Sequence, residues 1–87
     1  MINFKQRELS QVLFDKLQAR FPEVELVNII ESPENPNHIW VNIIMPDDED
    51  REVEVYEEAG KISTDILMDY GYLIIISSAS KEEKTLV

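Results

Sequence analysis

Between Lys5 and Arg20 the apolar residues Leu9, Val12, Leu13 and Leu17, with Phe21 just beyond, recur three and four positions apart. That spacing gathers side chains on one face of an α-helix. Asn3 stands where a helix N-cap belongs, with Gln6 three residues on as its reciprocal partner. Pro22 ends the helix, because the residue before a proline is pushed out of α geometry. From Val24 to Ile30 the chain turns rich in β-branched residues and reads as a strand. Glu31–Asn37, with two prolines and two asparagines, is turn chemistry. A second strand follows over His38–Met45, and with no helix between the two strands an antiparallel pair is expected.

Pro46 closes that strand, and Asp47 or Asp48 caps a second helix reaching about Tyr70. Its expected inner face is Tyr56, Ala59, Ile62, Ile66 and Tyr70. Gly71 supplies the left-handed residue that ends it. Gly60 falls mid-helix, where glycine costs about 1 kcal/mol relative to alanine; close packing on the sheet is the expected reason. Tyr72–Ser78 is a third strand, apolar on both faces through Ile76, the pattern of a strand covered on both sides or lying centrally. Strand two, helix two and strand three form a βαβ unit, expected to be parallel and right-handed. Lys81–Val87 reads as a charged tail, frayed or one short turn. The predicted fold is therefore α/β (α+β): one domain over residues 1–87, element order α-β-β-α-β, a small mixed three-stranded sheet and helices packed on one face.

Composition narrows the function classes. The 87 residues are 44% hydrophobic and 30% charged, with no cysteine, which fits a globular domain without a disulfide scaffold. No apolar run approaches the roughly 18 residues that span a bilayer. The opening residues Met1–Glu8 turn charged at once, so a cytoplasmic location is expected. The formal net charge is −10, a sign that opposes phosphate backbones and anionic membranes. No nucleic acid and no membrane are expected as partners; a basic protein suits the charge better.

Few residues carry chemistry. There is no thiol, and the single histidine, His38, opens a strand. The only glycines, Gly60 and Gly71, are both spent on helix two, so no glycine-rich phosphate loop exists. The run Asp47-Asp48-Glu49-Asp50 lacks the glycine and the terminal glutamate of a calcium loop, and its place at a helix N-terminus explains its charge. Eight acids fall between Asp47 and Glu58 against the single Arg51, which makes this stretch one candidate interaction surface. The other lies on strand two. Period-two alternation sends Ile39, Val41, Ile43 and Met45 to one face and His38, Trp40, Asn42 and Ile44 to the other. The first set reads as core. The second mixes the only tryptophan with polar neighbours, as on a partly covered face or a partner contact.

The second half of the chain resembles the minimal nucleotidyltransferases that pair with small helical partners in prokaryotic toxin–antitoxin modules. The resemblance rests on Ile39-Trp40-Val41-Asn42-Ile43-Ile44-Met45-Pro46-Asp47-Asp48, the helix after it, Tyr70-Gly71-Tyr72-Leu73-Ile74-Ile75-Ile76-Ser77, and Ser80-Lys81-Glu82-Glu83. It implies a nucleotidyltransferase-like fold, but the catalytic signatures are missing. The family's Gly-Ser pair would fall near Val27–Ile30, where neither residue stands, and its Asp-x-Asp pair at His38-Ile39-Trp40. Two-metal phosphoryl transfer needs those carboxylates to hold cations against the phosphates. The resemblance thus implies a degenerate, non-catalytic relative, with no cofactor or metal, acting as a protein-binding or regulatory module of antitoxin-like kind. Its expected contacts are His38, Trp40, Asn42, Asp47, Asp48, Glu49 and Asp50. The partner would be a basic or small helical toxin-like protein; a homodimer, a divergent magnesium-dependent enzyme and a plain self-associating domain are the alternatives.

Overall fold

A computed structural model describes residues 2–79. Helix α1 spans Phe4–Arg20, strand β1 Glu25–Glu31, strand β2 His38–Ile44, helix α2 Glu49–Tyr70 and strand β3 Leu73–Ser78. The strands lie in the order β1-β2-β3, with β1 antiparallel and β3 parallel to β2. The fold is α+β with a mixed sheet, as the patterning predicts. The tail Lys81–Val87 lies outside the described residues. Among the described residues no helix is long and apolar enough to cross a membrane.

Local chemistry sets the element ends. The Asn3 side chain accepts from the Gln6 backbone N–H at 2.7 Å, and Gln6 Oε1 accepts from the Asn3 N–H at 3.0 Å, completing a capping box. Asp48 caps α2 by accepting from the Asp50 N–H at 2.9 Å. Gly71 closes α2 with φ +78° while its N–H reaches the Leu67 carbonyl at 2.9 Å.

One core joins both helices to one face of the sheet. Leu9, Leu13, Phe14 and Leu17 of α1 and Val55, Ala59, Ile62 and Ile66 of α2 cluster with Ile39, Val41, Ile43 and Ile74. Phe21 and Val24, on either side of the turn at Pro22, are fully buried in the same cluster. The Ser63 hydroxyl, buried in α2, donates to the Ile74 carbonyl of β3 at 2.5 Å.

Several expectations need correction. Strand β3 is an edge, not a central strand, and its Ile75 is 38% exposed; its uniformly apolar sequence concealed which face is open. The buried arc of α1 runs through Gln6, Ser10, Leu13, Phe14 and Leu17, so Val12 falls at its margin and is exposed. On α2 the buried arc is Val55, Ala59, Ile62, Ser63 and Ile66. Tyr56 and Tyr70 lie off that arc and are exposed. A Cβ built at Gly60 would meet nothing within 4 Å, so close packing on the sheet does not account for this glycine. Strand β1 begins and ends one residue later than expected, and Met45 lies past the end of β2 although it is buried.

Candidate functional site: the uncovered sheet face

The β2 alternation predicted from sequence holds: Ile39, Val41 and Ile43 are sealed under the helices, whereas His38, Trp40 and Asn42 are half-buried on the opposite face. Ile44, grouped with the polar set by its register, is itself buried at the end of the strand. Because both helices pack on one side, the other side of the sheet has no covering layer among the described residues. A sheet face is ordinarily paired with a second layer, so the character of this one matters.

Strand pairing arranges the face in rows. Ile30 opposes Trp40, and Trp40 opposes Ile75, giving an apolar row across all three strands. One step along, Asn28 opposes Asn42 and Asn42 opposes Ser77, giving a polar row. The Asn42 Nδ2 donates to Asn28 Oδ1 at 2.6 Å, which fixes both amides in the face. In the other direction His38 lies beside Leu73. A tryptophan flanked by two isoleucines and bordered by oriented amides offers flat apolar area with hydrogen-bonding edges, the combination favoured in contact surfaces.

A β-bulge makes this arrangement. Leu26 pairs with Ile43 but Asn28 with Asn42, so Val27 is an extra residue. The bulge lets Leu26 and Ile29, three apart, both pack against the core, and it turns Asn28 and Ile30 outward. Strict alternation along β1 misses this, so the sequence did not point to Asn28, Ile30 or, on the all-apolar β3, Ile75 and Ser77. The segment Val27–Ile30, where the family resemblance would put a phosphate-binding Gly-Ser, lies inside β1 and pairs with β2. A paired strand is not a phosphate-cradling loop.

The acidic residues form a separate feature. Asp47, Asp48, Glu49 and Asp50 are all exposed around the start of α2, past the far end of β2. The acidic run and the Trp40 row thus sit on different elements, the start of α2 and the middle of β2. Asp47 and Asp48 instead border a cleft of about 310 Å³ with Glu23, Glu25, Ile44 and Arg51. Arg51 pairs with the Glu23 carboxylate through both Nε and Nη2, the latter at 3.2 Å, and its guanidinium lies 5.0 Å from the Phe21 ring centre. The bond from Arg51 holds the Glu23 carboxyl below its ordinary pKa, and Glu23 raises that of Arg51. Among the described residues no three His, Asp or Glu side chains converge as a metal ion requires.

Comparison with protein-family profiles, with curated proteins and with solved structures finds no match for this chain.

Proposed function

We propose that this chain is a non-catalytic protein-binding or regulatory module that engages a partner protein through the sheet face around Trp40. The observation that carries the reading is the row Ile30–Trp40–Ile75, crossing the three strands on the side that neither α1 nor α2 covers. The partner is a protein with an apolar centre and a basic rim. Apolar contact supplies most of the affinity at such a centre, and the charge of −10, concentrated at the start of α2 beyond one end of the face, steers a cationic rim toward it. An antitoxin-like role, in which a small helical protein is held in the cytoplasm, is one instance of this reading and rests on the family resemblance. A magnesium-dependent nucleotidyltransferase reading lacks such support, since His38 and Trp40 occupy the positions where that chemistry needs carboxylates.

Tagged protein captures the partner from the host, and the same capture with Trp40→Ala tests the assignment, with circular dichroism confirming that the variant folds. A partner lost with Trp40→Ala and released as ionic strength rises from about 0.05 to 0.5 M is the expected result. A partner retained equally by Trp40→Ala refutes the proposal.

A further inference from the structure

The two edges of this sheet are built differently. Strand β1 carries a glutamate at each end and a bulge at Val27, devices that discourage another strand from adding to an edge. Strand β3, Leu73-Ile74-Ile75-Ile76-Ser77-Ser78, has no charge and no proline, and its pairing to β2 runs without a register shift. Among the described residues it pairs with β2 alone, so one side of its backbone has no strand partner.

Beside that edge, α2 bears a second apolar stripe the core does not use. Val53, Tyr56 and Leu67 are 55, 43 and 42% exposed. With Gly60 they occupy one narrow arc of the helix, next to the arc facing the sheet. Tyr56, Ala59, Gly60 and Ser63 line a shallow groove with Ile75 and Ile76, so the middle of the stripe and the strand edge share one surface. At the middle of that surface stands Gly60, whose missing Cβ no neighbour among the described residues requires.

We infer that a second copy of this chain adds to the β3 edge, the two β3 strands pairing antiparallel about a two-fold axis to give a six-stranded sheet. The inference is independent of the Trp40 reading, because it concerns the edge and not the face. A two-fold axis perpendicular to the sheet keeps all four helices on one side, so residues of the open face must oppose residues of the open face. Ile75 then meets Ile75 of the second copy, Ile74 meets Ile76, and Leu73 meets Ser77. The apolar row Ile30–Trp40–Ile75 continues unbroken through six strands. The axis passes the level of Gly60, where a helix without a side chain admits its counterpart closely.

Both copies are acidic, so charge opposes association, but it opposes it least in this antiparallel arrangement. The first half of α2 carries Glu49, Asp50, Glu52, Glu54, Glu57 and Glu58 against Arg51, whereas the rest carries only Lys61, Asp65 and Asp69. Antiparallel apposition sets the acidic half of one helix against the nearly neutral half of the other. The pairing strand itself is uncharged, so no repulsion arises along the strand seam. Six strand residues give about 20 Å of edge, and the stripe from Val53 to Leu67 runs about 21 Å. Such a footprint sits at the small end of specific interfaces, so the dimer should dissociate on dilution.

Sedimentation equilibrium, with amide hydrogen exchange of β3 followed by NMR across the same concentrations, tests this. The expected result is a reversible monomer–dimer equilibrium in which the outward-pointing β3 amides slow as the dimer forms. Ile75→Lys and, separately, Gly60→Arg should each weaken it at least ten-fold. Gly60→Arg enters open space in the monomer, so it keeps the test valid should Ile75→Lys fold poorly. Ile30→Lys, on the same face but at the guarded β1 edge, should leave the dimer intact. Four outcomes overturn the inference: a monomer at every concentration; β3 amides slowed in a monomer, which means cover from within the chain; β3 amides slowed only by an added lysine-flanked strand peptide; or a dimer that Ile30→Lys disrupts as strongly as Ile75→Lys.

Discussion

Replacing Gly60 by alanine should stabilise the monomer, and the structure gives the size of the effect. A glycine inside a helix costs about 1 kcal/mol relative to alanine, because the unfolded chain has more freedom to lose and the helix gains no side chain. A natural mid-helix glycine often offsets that cost by letting a neighbour approach. Here the added Cβ would find nothing within 4 Å, and Gly60 sits in ordinary helical backbone. Nothing among the described residues opposes the gain, so Gly60→Ala should raise stability by about 0.8–1 kcal/mol, or about 4–8 °C in Tm for a domain of this size. Gly71→Ala provides the opposite case. Its Cβ also meets open space, but φ is +78°, and a side chain in that region costs roughly 1–2 kcal/mol. Space is equal at the two positions, so only the backbone differs, and the two variants should separate by about 2–3 kcal/mol. Urea unfolding followed by circular dichroism, at a protein concentration low enough to keep the chain monomeric, measures both, and an unchanged m-value confirms that stability alone moved. A destabilised Gly60→Ala monomer, or a Gly71→Ala variant as stable as the parent, would refute the reasoning.

Two further outcomes follow from the packing and the ion pair. Leu13, fully buried between α1 and the sheet, should lose about 3 kcal/mol on truncation to alanine; a urea-derived loss under about 1 kcal/mol would mean the core is not organised around it. Glu23 should titrate below its ordinary value of 4.5, because Arg51 donates to its carboxylate. A carboxyl depressed on folding adds stability that is present above the unfolded value and lost as pH falls through the lower folded one. NMR titration of the Glu23 side-chain carbon checks this, with Arg51→Ala expected to return it upward; no change in Arg51→Ala would exclude the pairing as the cause.

Much of the architecture was legible in the order of residues, and the reason is local physics. Caps at Asn3 and Asp48, stops at Pro22 and Pro46, and the left-handed Gly71 act within a few residues of themselves, so the five elements could be placed almost to their ends. The βαβ connection and the alternation along β2 needed only chain geometry, and they set Trp40, Asn42 and His38 on the face away from Ile39, Val41 and Ile43.

What only the tertiary structure decided were the relations between strands and between helix arcs. Strand β3 is apolar at every position through Ile76, and nothing local distinguishes a covered face from an open one, so its place at the edge had to come from the pairing order. The bulge at Val27 depends on β1 fitting Leu26 and Ile29 to a core built by other segments; from that fit come Ile30 and Asn28 on the uncovered face. Choosing Val55 over Tyr56 as the buried side of α2 likewise rests on which arc meets the sheet. Periodicity says that a helix has an apolar side, but where two such stripes compete the choice belongs to the surface that receives it. For that reason the sequence by itself named the tryptophan, and the fold supplied the row and the edge that give it neighbours.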